Sequence, residues 1–431
     1  MSHTRTSERS TRTIISVDPH GKPLEQANIH TRWHPEIPAV ATVRESEVFN
    51  VECLDFTGNY IKNNDCADDV IDFCWDNDHH LSGPIAVEGA EPGDVLAVDI
   101  LNVAPFPHRL WGFSLVDPGL GPLYEKATRV AKSIWDINGG VASSRHIRDV
   151  EFSGRPHCGV IGTAPSAELL ATWTKREAAL NQKYKHHGVV CALEPTENGA
   201  YVGQDLPADL LARIKSEGAR TKPAREHGGN IDSNALMSGS RIYLPVFVPG
   251  ANLSVGDLHF NQGDGEPTCA LEIAGIATLR CCMIKDGIKK LGLRSPMVLP
   301  SPAEPFYRQQ FVFHGLSIDT KGQQQRSDLA TSFIQSARHA TAWLERFGYT
   351  HEQAYMIMAA APTVTRVLAV PNIPTANVSM GLPTEIFKFD IRPTDEAPIA
   401  SDRGKPAFLS PAREEKFWLE HKQQQTPFER P

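Results

Sequence analysis

Between Val255 and Gln262 the chain alternates: Leu258 and Phe260 are apolar, while Asp257, His259 and Asn261 are polar. In an extended strand successive side chains point to opposite faces. The three polar residues therefore share one face, and the two apolar ones share the other. Asp264-Gly265 is a type I′ turn signal, and a turn centred there folds the chain back on itself. It pairs Gly263 with Glu266, Asn261 with Thr268, His259 with Ala270 and Asp257 with Glu272. Opposed residues share a face, so Glu266 and Glu272 return to the side of Asp257 and His259. Pro267 strains this register, since proline inside a strand belongs at an edge or a bulge. The stretch commits the chain to antiparallel sheet with one anionic face. Such a face is either solvated, or its mutual repulsion is relieved by a proton or a cation. Imidazole with carboxylates suits Zn²⁺ or another divalent transition ion.

Other candidates lie upstream. Gly228-Gly229 permits a tight turn that brings Asn230 and Asp232 near backbone, although an ordinary loop explains it too. Asp55 ends an alternating strand. His79 and His80 stand at a loop tip feeding a strand, a common place for substrate or metal contact. His157 opens the short apolar strand Val160-Ile161. Trp111 can wall a pocket or simply pack.

Composition narrows the classes. The 431 residues carry a formal net charge of −8, which disfavours nucleic acid and anionic membranes as partners. No apolar run reaches the roughly 18 residues of a membrane span. The polar N-terminus lacks the apolar core of a secretory signal. The eight cysteines contain no Cys-x-x-Cys pair, and Cys269 and Cys281 sit in apolar surroundings, which reads as a reducing compartment, the cytoplasm. There is no Rossmann glycine fingerprint, P-loop or Gly-x-Ser-x-Gly elbow.

The organisation reads as α+β: mostly antiparallel sheet, with helices segregated rather than alternating. Residues 1–35 form an extended entry segment, 36–395 one β-rich unit with inserted helices and 396–431 a polar tail. Strands are expected at Ala39–Val43, Val48–Asp55, Ile85–Glu88, Val95–Val103, Ala274–Lys285 and Phe311–Leu316. Ser166 caps a helix to Tyr184, and a short helix spans Asp205–Glu217 before Gly218. Ser327 caps a helix to Phe347, and Thr350 with Gln353 forms a capping box for the next. Those last two helices make a late αα-hairpin.

Six motifs, in order, resemble the acetamidase/formamidase family, its formamidase branch in particular. They are Leu81–Pro84 with Val87–Leu96, Ser143–Ile147, Gly159–Ser166, Arg225–Asp232, and the long run Gly250–Glu266. The likeness covers roughly residues 10–395. It implies a mostly antiparallel β-sandwich or jelly-roll-like core, and a cytoplasmic amidohydrolase that cleaves formamide to formate and ammonia. It also implies a homo-oligomer, a trimer or hexamer. Metal-bearing relatives are similar in the Gly256–Glu266 block. The chain departs from the acetamidase pattern in the insertion near Lys185–Leu206, in its tail, and in having His79-His80 before the Gly-Pro motif.

The chemistry follows from an inert amide. A divalent ion lowers the pKa of its water to about 7 and polarises a carbonyl. Asp257, His259, Asp232 and Asp55 are the candidate ligands. Glu266, with Asp264 as substitute, is the candidate base, passing the water proton to the leaving nitrogen. His157 or His227 is placed to donate to the carbonyl oxygen, and Trp111, Asn230 and His79 to line the substrate pocket. Two other classes compete: a cysteine amidase using Cys158, and a non-catalytic β-sandwich binding module.

Overall fold

In the computed structural model, residues 11–117, 121–123, 128–187, 192–302, 309–370, 373–392 and 397–421 are described. Two sheets face each other across one apolar core. The smaller runs, in order, through Arg12–Ile15, Val48–Cys53, Gly275–Ile284, Val95–Pro105, Ser240–Pro245 and Met297–Leu299. The larger has twelve strands, and Leu253–Asn261 lies at its middle. Phe49, Val51, Leu96, Val98 and Ile242 from the first sheet meet Ile161, Leu253, Val255 and Leu258 from the second. Each fully buried side chain of this kind contributes about 1.5–3 kcal/mol. The class is the expected α+β sandwich.

The central strand explains where the site forms. Leu253–Asn261 pairs antiparallel with His157–Gly162, with Leu271–Ile273 and, at its start, with Leu81–Val87. It is buried along its whole length, so no solvated face exists here. Leu253 and Val255 reach the core, yet so do Leu258 and Phe260. A strict period of two cannot place both pairs on one side. Asp257 resolves this with φ 52, a left-handed conformation that resets the alternation.

The hairpin register therefore differs from the sequence-based expectation. His259, not Asp257, stands opposite Glu272, and the ladder slips between His259 and Asn261. Residues 262–270 leave the sheet as a loop instead of forming a two-residue turn. Glu266 N still donates to Gly263 O at 3.1 Å, so the turn signal was real but local.

The helices match more closely. Ser166 Oγ caps Ala167–Tyr184 by accepting from Leu169 N. Ala208–Glu217 ends at Gly218. Thr350 and Gln353 form the expected capping box ahead of His351–Ala360. One cap is corrected: Asp328, not Ser327, starts Leu329–Glu345, its carboxylate accepting from Thr331 N. An anionic cap beside the helix N-terminus is also favoured by the dipole. This helix lies on a three-stranded sheet that includes the expected strand, observed as Gln310–Leu316.

Both ends of the described chain are tied in. Arg12–Ile15 pairs parallel with Val48–Cys53. The C-terminal segment folds over its own chain: Ala407–Phe408 pairs with Ala131–Asn138, and Arg129 clasps Glu414 at 2.5 and 2.7 Å. The remainder of the tail, 422–431, and the first ten residues lie outside the described residues. No described helix is long and apolar enough to cross a membrane.

Candidate active site

A cavity of about 140 Å³ opens where the central strand meets the segments 75–79, 222–232 and 262–270. Asp78, Asp232, Asp257, Glu266 and Glu272 line it, with His79, Asn230, Thr268 and Cys269. Phe56 and Trp75 supply its apolar wall, and Lys222 is the cation at its lining.

His259 is the hub. It is buried, and its Nε2 lies 3.2 Å from Glu272 Oε2 and 3.4 Å from Asp257 Oδ2. Neither contact meets hydrogen-bond geometry, so His259 Nε2 and Glu272 Oε2 are buried polar atoms without partners. Asp232 Oδ1 is another. Two overlapping triads, Asp232/His259/Glu266 and Asp257/His259/Glu272, each bring their ligand atoms within 4.8 Å of one another. Orphaned donors and acceptors of this kind cost stability unless something occupies them. A mixed imidazole and carboxylate set fits a divalent ion. Asp257 comes from the central strand and Glu272 from the strand beside it, while Asp232 and Glu266 arrive on loops.

Backbone geometry builds the cluster. Asp232, Asp257 and Glu266 have φ of 46, 52 and 34. Left-handed conformations at residues other than glycine each cost of order 1–3 kcal/mol, and they gather at functional sites. Gly159, opposite Asp257 across the ladder, makes the room. A Cβ there would lie 2.7 Å from Asp257 Oδ2 and 2.7 Å from His259 Cε1. Gly159 O also receives the Ile231 and Asp232 amides, anchoring the loop that delivers Asp232.

Crowding dominates the electrostatics. Burial, then the neighbouring Asp257, lifts Asp232 to about 6. Burial also raises Glu272 to about 8, against the pull of His259. Glu266 rises well above its usual range through burial and Asp232. Burial opposes ionisation of Asp257, but His259 and His79 outweigh it and hold Asp257 at about 2. Burial likewise opposes charge on His259, yet Glu272 and Asp257 raise it well above the ordinary imidazole value. Without a cation, protons must relieve the repulsion; with one, the acids ionise.

The other expected residues divide cleanly. His79 joins the cavity, its Nε2 3.8 Å from Asp257 Oδ2. Asn230 joins as well, donating to Lys222 O and leaving its own oxygen free. Asp55 does not reach the cluster. Its carboxylate accepts from Thr57, from the Asn59 amide and from Arg109 Nη2 at 2.7 Å, which leaves nothing for a metal. Trp111 is absent from the cavity lining and lies beneath Arg109, 4.4 Å from ring centroid to guanidinium. Asp264 spends its oxygens on Asn234 Nδ2 and Thr365 N, and so holds the loop rather than substrate. His227 is wedged between Trp33 and Trp173, away from the cavity. His157 stands behind His259, 5.0 Å between ring centroids. His80 sits just off the cavity, its Nδ1 3.0 Å from Phe56 O.

Cys158 is fully buried, and burial drives its thiol above the ordinary value. That is the reverse of an activated nucleophile. Sequence reasoning missed Lys222, Asp78 and Cys269. Their signal lies in tertiary proximity: Lys222 Nζ reaches 3.8 Å from Asp78 Oδ2 and rests on the Trp75 ring.

Acids left short of cations around a small polar cavity suit a hydrolase acting on a small uncharged molecule. The comparisons with known proteins make this definite: the chain belongs to the acetamidase/formamidase family, whose model matches residues 16–389, and it is an amidohydrolase. It is 44% identical over 393 residues to the formamidase of Methylophilus methylotrophus, covering 90% of this chain and 96% of that one. It is 43% identical to a putative formamidase of Schizosaccharomyces pombe, covering 93% and 99% of the two chains. Among solved structures, the gamma lactamase from Delftia acidovorans superposes with a TM-score of 0.89 at 40% identity, over 93% of this chain and all of the other.

Proposed function

We propose that the chain is a formamidase, cleaving formamide to formate and ammonia with water activated beside a divalent ion, most simply Zn²⁺. The observation that carries this reading is the pair of triads sharing His259, in a chain 44% identical to a formamidase. Asp257, His259, Asp232 and Glu272 would hold the ion. When bound, such an ion supplies Lewis acidity and acidifies water. The protein's own part is proton traffic and orientation. With positive charge nearby Glu266 returns to its ionised form. It takes the water proton and delivers it to the leaving nitrogen. Asn230 Oδ1, free of partners, receives an amide N–H, and Lys222 Nζ or His79 faces the carbonyl oxygen. Phe56 and Trp75 bound the substrate's carbon side.

The catalytic unit spans 36–395, works in the cytoplasm and assembles as a trimer or hexamer. The paucity of tidy edge cover supports assembly: Val367 and Leu368 on the strand Val364–Ala369 are 56% and 48% exposed. Light scattering that finds a stable monomer at micromolar concentration overturns this part.

One observation favours a second reading. About 140 Å³ resembles the engineered cavity of about 150 Å³ that admits benzene, more than formamide fills. Together with the likeness to a gamma lactamase, this supports cyclic amides as alternative substrates. Ammonia release from formamide and acetamide, measured beside ring opening of a γ-lactam, decides. Formamide should be turned over fastest; faster lactam opening reverses the assignment.

A further inference from the structure

His157, His259 and Gln262 are all buried, and their polar atoms meet at one point. Gln262 Oε1 lies 3.0 Å from His157 Nε2 and 3.0 Å from His259 Nδ1, and the two ring nitrogens are 3.3 Å apart. Two backbone carbonyls bound this triangle. Asp232 O is 2.6 Å from Gln262 Nε2, and Arg155 O is 2.8 Å from His157 Nδ1.

A carbonyl oxygen only accepts. The Gln262 amide must therefore turn its NH₂ to Asp232 O and its oxygen to the histidines. By the same rule His157 carries a proton on Nδ1. Two arrangements remain. If His157 is neutral, its Nε2 is a lone pair and needs a donor. Gln262 Oε1 cannot supply one, so His259 Nδ1–H must. If His157 is doubly protonated, its Nε2–H donates to Gln262 Oε1. That Nε2–H could point instead at a bare His259 Nδ1, 3.3 Å away, but the lone pair would then face the acceptor-only Gln262 Oε1 at the shorter 3.0 Å; an N–H on His259 Nδ1 is what satisfies that contact. Both arrangements leave His259 protonated on Nδ1.

We infer that Gln262 is a positioning residue: anchored on Asp232 O and backed by His157, it fixes the Nδ1–H tautomer of His259 and turns Nε2 toward Asp257 and Glu272. Outer partners that fix a ligating imidazole in this way raise its affinity for a metal. The same glutamine ties the hub to the backbone of Asp232, so the two triads are set in one unit. The tautomer follows from hydrogen bonding alone, whereas its use in binding rests on the divalent-ion reading above.

The test uses the full chain with ¹⁵N-labelled histidine, the His259 signals being identified by difference from His259→Asn. Spectra are recorded for metal-free protein at a pH where His259 is neutral, and again with Zn²⁺. The expected result is a protonated, pyrrole-type Nδ1 in both, with Zn²⁺ perturbing Nε2. A protonated Nε2 in the neutral ring, or Zn²⁺ on Nδ1, overturns the inference. Gln262→Leu should bind Zn²⁺ 10–100-fold more weakly by calorimetry. Unchanged affinity overturns the positioning role. If the leucine variant does not fold, the spectra of the parent chain still decide. A parent chain that binds no Zn²⁺ sinks the metal reading instead, and the metal-free tautomer then judges Gln262 by itself.

Discussion

Asp55 and Asp257 are both buried aspartates close to the central strand, and the molecule treats them in opposite ways. Asp55 is matched group for group: Arg109 on one oxygen, a hydroxyl and two amides on the other. Lys132 and Asp69 repeat that pattern, the ammonium touching both carboxylate oxygens within 2.8 Å. Asp257 instead shares its surroundings with three more acids and an imidazole whose Nε2 makes no hydrogen bond. Burial alone therefore does not distinguish a functional acid. For these two carboxylates the distinction lies in whether their own oxygens are saturated with donors. A saturated buried ion pair is structure; an unsaturated cluster is kept for something that arrives.

The sharpest way to break this contrast is at Glu266. Glu266→Gln removes the base while keeping its size, and should lower formamide turnover by about 10²–10⁴-fold with little change in Tm. Activity that survives the change would move the base elsewhere. Asp55→Ala should do the reverse. Leaving Arg109 buried and unpaired costs about 3–5 kcal/mol, read by denaturant titration, with turnover per folded molecule retained. If Asp55→Ala abolishes activity in folded protein, Asp55 belongs to the site after all.

Gly159→Ala tests the space itself. Its methyl group collides with Asp257 and His259, so bound Zn²⁺ by elemental analysis should fall while the sheets persist by circular dichroism. Retention of full occupancy would show that the cluster tolerates displacement.

Proton linkage gives a smaller effect with a definite sign. Glu272 ionises near 4.5 unfolded and near 8 folded. Between those values the unfolded chain binds fewer protons, so stability falls as pH rises. Asp232, lifted to about 6, acts in the same direction. His259, raised on folding, contributes stability below its unfolded value near 6.5 that is likewise lost as pH rises. Asp257, held at about 2, is ionised throughout and adds no slope. Metal-free protein should therefore lose Tm from pH 5 to 8, and saturating Zn²⁺ should flatten the curve. A metal-free Tm that climbs over this range contradicts the assignment. The mildest prediction concerns Trp111: Trp111→Phe should leave KM for formamide within about twofold, since the ring packs under Arg109 and only its cation contact, about 0.5–1 kcal/mol, weakens.

Much of this was legible in the chain. The alternation around His259 placed Asp257 and His259 together, whereas Gly228-Gly229, read as a turn, is the start of a short strand, Gly228–Asn230, that follows a turn at Glu226-His227 and leads to Asp232. The capping box at Thr350 needed only local chemistry. The register of Glu272 was not legible, because a left-handed Asp257 and a slipped ladder break the period-two rule that the reading used. Asp55 misled because an aspartate closing a strand looks alike whether its partner is a metal or Arg109, 54 residues away. Lys222 and Asp78 meet 144 residues apart in sequence, and no local pattern announces such a contact.

The strand carrying Glu272 ends at Ile273, and Gly275 already begins a strand of the opposite sheet. The cavity floor is thus welded to both layers of the sandwich through a single buried residue, Ala274. Its rim is not: Trp75 rides on a single 3-10 turn, and His79 and Lys222 on irregular segments. Variation within such a scaffold is cheap at the rim and ruinous at the floor. A laboratory seeking to redirect this enzyme toward bulkier amides should diversify Phe56 and Trp75, and leave Lys222 and the strands beneath them alone.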